Sequence, residues 1–144
     1  MHTPISVLLK HKATGGVYSV SPDMTIQSCI DLMNKKKVGA VPVLKGDELV
    51  GMFSERDVMM RVASHEKDVR DKSVSTVMTK EVLTIEPSTT VQEAMETITN
   101  RRFRHLPVVE NNKLIGLVSA GDLTLWVVES QANQIEDLQS YINS

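Results

Sequence analysis

Aromatic residues make up only 3% of this 144-residue chain. A core made without them is aliphatic, drawn from Val, Ile, Leu, Met and Ala. There is one cysteine, Cys29, so no internal disulfide can form. It falls on an apolar helix face, and a buried thiol in a reducing compartment is the simplest account. A basic excess is also missing: sixteen Lys and Arg stand against eighteen Asp and Glu, for a net charge of -2. That disfavours nucleic acid as a partner, since its binders show a basic stripe, and scarce aromatics disfavour stacking on RNA bases. No apolar run approaches the roughly 18 residues that span a bilayer. Met1-His2-Thr3-Pro4 lacks the charged-then-apolar layout of a signal peptide. The expectation is a cytoplasmic protein with no membrane contact. His2, His11 and His65 are scattered without metal-ligand spacing. Gly15-Gly16 is no phosphate loop, because the Lys-Ser/Thr ending is absent. No nucleophile–base–orienter set can be assembled, so no enzyme and no obligatory cofactor are expected.

What the chain does have is a repeat. Shifted by 65 positions, residues 17–62 overlay on 82–127 without a gap, with eleven identities in 46 positions. Pro22 meets Pro87, Pro42-Val43 meets Pro107-Val108, and Gly51 meets Gly116; Ser54 meets Ser119 and Asp57 meets Asp122. Internal repeats take precedence over other readings of a sequence.

Each copy reads as β-α-β-β-α. A short strand, Val17–Val20 or Val82–Ile85, ends at a Pro turn, because the residue before Pro avoids the α region. A helix opened by Thr25 or Thr90 follows. Its apolar face is Ile26, Cys29, Ile30 and Met33, matched by Val91, Ala94, Met95 and Ile98. Thr90 and Glu93 have capping-box spacing. Strands Ala40–Leu44 and Leu49–Phe53, and likewise His105–Val109 and Leu114–Val118, form hairpins across polar turns. A second helix begins near Glu55 or Ala120. Ile5–His11 reads as a leading helix, and 63–81 as a linker with a less polar stretch at Val74–Thr79. Ile135, Leu138 and Ile142 extend helical spacing almost to the end. A 46-residue unit is marginal alone, so two copies packed face to face are expected to share one core. The fold class is α+β (α/β), divided at 1–72 and 73–144.

The segments Val38-Gly39-Ala40-Val41-Pro42-Val43 and Gly51-Met52-Phe53-Ser54-Glu55-Arg56-Asp57, with Phe103-Arg104-His105-Leu106-Pro107-Val108 and Gly116-Leu117-Val118-Ser119-Ala120-Gly121-Asp122, resemble the CBS domain family, named after cystathionine β-synthase. The likeness covers nearly the whole chain, which looks like a small stand-alone bacterial CBS-pair protein. The resemblance implies a pseudo-twofold Bateman module with two related clefts for adenosine-containing ligands: AMP, ADP, ATP, NAD(H) or S-adenosylmethionine. It implies a homodimer formed through the CBS helices. It also implies a regulatory role, sensing nucleotide state on behalf of an unidentified partner protein.

The binding candidates follow from both readings. Ser54 and Asp57 have helix-cap spacing, with Asp57 suited to the first turn. A helix start also offers N–H groups to phosphate, and an acceptor-only carboxylate suits ribose hydroxyls. Repetition at Ser119 and Asp122, within the resemblance, favours binding alongside the cap. Arg56 is placed to reach phosphate, while Gly121 admits a close approach to backbone. Arg104 and His105 lead into a buried strand, and Arg suits phosphate through its fork of donors; a satisfied core histidine is the even alternative for His105. Phe103 either covers adenine or packs in the core. Val38, Gly39 and Ala40 are the small, neutral counterparts in the first copy. By family analogy they contact adenine while Asp122 holds ribose across the cleft, and Asp57 faces Phe103 and Arg104. The charge asymmetry assigns more phosphate to the Asp57–Arg104 cleft. Met52, Met59 and Met60 are expected in the core or between helices, and Trp126 at a dimer interface. The competing reading is a ligand-free dimerising adaptor that docks its partner through the C-terminal helix.

Overall fold

The computed structural model describes residues 2–12 and 17–143; Gly15-Gly16 lies outside them. Helix α1 is Ile5–His11. Thr25 and Thr90, both extended, open helices α2 (Ile26–Lys36) and α4 (Val91–Arg101). Thr90 Oγ1 accepts from the Glu93 N–H at 3.1 Å, and Glu93 Oε2 accepts from the Thr90 N–H at 3.2 Å, closing a capping box. Both helices end on a left-handed residue at the same place in the repeat, Lys37 (φ 56°) and Arg102 (φ 59°). That turn aims the chain into the next strand.

Strands β1 (Ala40–Lys45) and β2 (Glu48–Ser54) pair antiparallel, as do β3 (His105–Glu110) and β4 (Lys113–Ser119). The hairpins share one register and one bulge position, at Val43/Leu44 and Val108/Val109. Gly46 (φ 62°) supplies the left-handed turn residue in the first, and Asn111 and Asn112 (φ 52° and 63°) do so in the second. Strand β2 lies against β4.

The expected opening strands shrink to single residues. Val20 bridges Val43 and Ile85 bridges Val108, each in parallel. The reason is the Pro turn that follows at once; only Val20 and Ile85 keep ladder hydrogen bonds, to Pro42 and Leu44 and to Pro107 and Val109. After β2 the helix is short. One α turn, α3 (Glu55–Asp57), passes into a π-helical stretch, Val58–Val62. After β4 it is long: α5 runs Ala120–Asn143.

The buried residues form two clusters, which corrects the expectation of one shared core. The first contains Val20, Ile26, Cys29, Met33, Val41, Val43 and Phe53 together with Val74, Val77 and Met78. The second contains Ile85, Val91, Ala94, Leu106, Val108, Val118 and Leu123 together with Ile5 and Leu8. Each leader thus packs on the copy it does not precede. Ile5 and Ser6 donate to Thr89 and Pro87 carbonyls as Val74 and Ser75 donate to Met24 and Pro22. Thr3 and Lys72 carbonyls accept from the starts of α4 and α2. The exchange is possible because Gly51 and Gly116 leave room: a Cβ on Gly51 would sit 2.6 Å from Met78 Sδ, and one on Gly116 would sit 2.8 Å from Leu9 Cδ2.

Candidate functional site

Each hairpin ends at a Ser-x-x-Asp helix start. In the first, Asp57 Oδ2 accepts from the Ser54 N–H (2.9 Å) and Oγ (3.1 Å), and Ser54 Oγ accepts from the Asp57 N–H (3.3 Å). In the second, Asp122 Oδ2 accepts from the Ser119 N–H (2.8 Å) and Ser119 Oγ accepts from the Asp122 N–H (3.0 Å). The cap is therefore real in both copies. Glu55 and Ala120 donate their N–H groups to the carbonyls of Gly39 and Arg104. Two of the first three N–H groups in each helix start are thus already taken.

The two aspartates differ in what else holds them. Asp57 is 5% exposed. Its Oδ1 accepts from Thr79 Oγ1 at 3.0 Å and lies 3.9 Å from Arg61 Nε. Arg61 in turn donates to the Val77 and Met78 carbonyls. Both carboxylate oxygens of Asp57 are engaged. The Asp122 side chain is 25% exposed, and Lys12 Nζ lies 2.9 Å from its Oδ2, the oxygen that Ser119 already uses. Lys12 also donates to the Leu117 carbonyl at 2.7 Å. The contacts of Asp122 converge on Oδ2, which leaves Oδ1 as an acceptor.

Four charged side chains act on His105. Burial pushes its imidazole below the usual histidine value, the Arg104 charge pushes the same way, Asp122 and Glu55 oppose, and Lys12 adds to the lowering. Glu55 comes from the first copy, Arg104 and Asp122 from the second, and Lys12 from the leader. Glu55 acting on His105 is a relation across the copies. Its carboxyl also covers Gly39, 3.5 Å from where a Cβ would stand.

The remaining candidates are placed as follows. Arg56, Arg104 and Gly121 are exposed, Ala40 is buried at 3%, and Val38 packs against the first cluster. Phe103 packs against the second cluster. Trp126, expected between copies of the protein, packs on that cluster too, its ring centroid 5.5 Å from that of His11. Met52 is buried, but Met59 and Met60 are 72% and 62% exposed, which takes them out of the core. Sequence reasoning missed Lys12, Thr79 and Glu55. The signal was present in part: Ile5, Leu8, Leu9 and Val74, Val77, Met78 share one spacing, which marks the leaders as equivalent. Two open concavities of about 570 and 610 Å³ lie elsewhere, the first lined by Arg61, His65 and Lys72, the second by the hairpin turns. Among the described residues no group of His, Cys, Asp and Glu is arranged to hold a metal, and no helix is long and apolar enough to cross a membrane.

A family model of the CBS domain matches residues 13–64 and 74–129. The chain is 35% identical over 117 residues to the CBS domain-containing protein YhcV of Bacillus subtilis, covering 81% of this chain and 83% of that protein. The crystal structure of the CBS-domain containing protein ATU1752 from Agrobacterium tumefaciens superposes with a TM-score of 0.79 at 36% identity, over 85% of this chain and 97% of that one. The crystal structure of CBSX2 in complex with AMP superposes with a TM-score of 0.77 at 23% identity, over 88% and 97%. That last likeness is one of fold.

Proposed function

The chain belongs to the CBS domain family, and from that premise we propose that it is a non-catalytic regulatory module that binds an adenosine-containing ligand between its repeats and passes occupancy to a partner. The ligand class is AMP, ADP, ATP, NAD(H) or S-adenosylmethionine. The observation that carries this reading is Asp122. Its carboxylate is fixed by a capping box, its Oδ1 is left to accept, Lys12 lies on its Oδ2, and it acts together with Arg104 on the charge of His105. An acceptor-only group held in this way suits the paired hydroxyls of ribose. CBSX2, which shares this fold, is crystallised in complex with AMP, and that supports the ligand class. The burial of Asp57 between Ser54, Thr79 and Arg61 supports a ligand at Asp122 ahead of one at Asp57. Isothermal titration with AMP, ATP, NADH and S-adenosylmethionine tests the reading. Binding of at least one, weakened roughly tenfold or more in Asp122→Asn, is expected, that being the scale of a lost charged hydrogen bond. No heat and no thermal shift with any of them at millimolar levels overturns it.

A second reading has its own support. Ile135, Leu138 and Ile142 are 56%, 62% and 78% exposed along α5. They would make the C-terminal helix the docking surface of a dimerising adaptor that needs no ligand. Deleting residues 130–144 decides: dimerisation and partner capture that survive unchanged exclude it.

A further inference from the structure

The two leaders present different chemistry at matching places. In the first copy the Thr79 N–H donates to the Met52 carbonyl (2.8 Å) and Thr79 Oγ1 donates to Asp57 (3.0 Å). In the second the single ammonium of Lys12 does both jobs, on the Leu117 carbonyl (2.7 Å) and Asp122 Oδ2 (2.9 Å). Met52 and Leu117 are repeat equivalents, as are Asp57 and Asp122. A neutral hydroxyl with one proton is fully used by Asp57. An ammonium carries three donors, and these contacts take two. The Lys12 side chain is 27% exposed, so the two contacts do not close it off from solvent.

From this geometry we infer that Lys12 is a phosphate-binding residue of the Asp122 cleft, and that it makes the cleft select a phosphorylated nucleoside over the bare nucleoside. The inference rests on the functional reading above and names the ligand class more narrowly. With ribose on Asp122 Oδ1, the third donor of the ammonium on Oδ2 is the charge available to a 5′ phosphate one sugar away. Arg104 adds a second cation near His105, while Glu55 and Asp122 limit the total positive charge. The Asp57 cleft has no such lysine, because Thr79 fills that position.

The experiment is a titration of the intact protein with AMP and with adenosine, on wild type, Lys12→Met and Lys12→Arg. Lys12→Met keeps most of the apolar stem and removes the charge. The readout is the ratio of the two affinities. Wild type is expected to prefer AMP, Lys12→Met to lose about tenfold or more of that preference, and Lys12→Arg to recover most of it; a charged hydrogen bond supports a change of that size. Equal weakening of both ligands in Lys12→Met overturns the inference, since Lys12 would then only organise Asp122. An unchanged ratio overturns it as well. Wild type binding neither ligand overturns both this inference and the functional reading, whereas wild type binding both alike overturns the inference alone. A thermal melt of each variant shows whether α1 stays docked, and Lys12→Gln substitutes if Lys12→Met does not fold.

Discussion

His105 is the residue whose charge state is set by its place. Burial and Arg104 hold its folded-state pKa down, below the roughly 6.5 of an unfolded chain. A group lowered in this way adds stability that is complete above about pH 6.5 and is lost as the pH falls towards the folded value, because the unfolded chain then takes up the proton first. Chemical melts from pH 7.5 to 5 are expected to show stability falling with acid, and His105→Gln is expected to flatten that slope. A slope that is the same in both proteins assigns the acid sensitivity elsewhere. At neutral pH the imidazole is uncharged, so Lys12 and Arg104, not His105, supply positive charge to the Asp122 cleft.

At the scale of the element, the two glycines under the leaders carry unequal loads. A Cβ on Gly51 would meet Met78 Sδ at 2.6 Å and the Thr79 carbonyl at 2.9 Å, and that carbonyl is pinned by the Met52 N–H. The nearest atoms to a Cβ on Gly116 would be at the end of the Leu9 side chain, at 2.8 and 2.9 Å. Gly51→Ala is expected to cost about 1–3 kcal/mol, as overpacking does. Gly116→Ala is expected to cost less, since a half-buried leucine tip can turn away; paired urea melts give the comparison. The hairpins and helices were legible because period-2 and period-3.6 patterns report local burial, and repetition of Ser54 and Asp57 marked the cap. The opening strands misled because a run of apolar residues does not say how many of them pair. The inequality of Asp57 and Asp122 was not legible in the motif at all. It comes from Thr79 and Lys12, which are far from it in sequence, and which copy a leader covers is a long-range choice that no periodicity encodes.

The whole molecule depends on that choice. Ile5 and Leu8 are 0% and 3% exposed inside the second cluster. Burial of such side chains contributes roughly 1.5–3 kcal/mol each. Deleting residues 1–12 is therefore expected to loosen the second copy, although the residues removed stand before the first. Cys29 reports on the other half: burial in the first cluster pushes its thiol up to about 11, which keeps it out of the reactive thiolate form. In the deleted chain, amide exchange in β3 and β4 is expected to speed up while Cys29 stays slow to label. Cys29 becoming reactive in step with β3 and β4 would mean that the two clusters open as one unit.

The crossed leaders also set what half of this chain would be able to do alone. A chain with one leader and one repeat cannot cover its own core in this arrangement, but two such chains can, by trading leaders across a two-fold axis. Joining the end of one to the start of the other makes the trade permanent and yields the 144-residue order seen here. In a joined chain the two halves need not be alike. One leader sets a threonine on its aspartate and the other a lysine, a difference that a symmetric pair of identical chains has no means to hold.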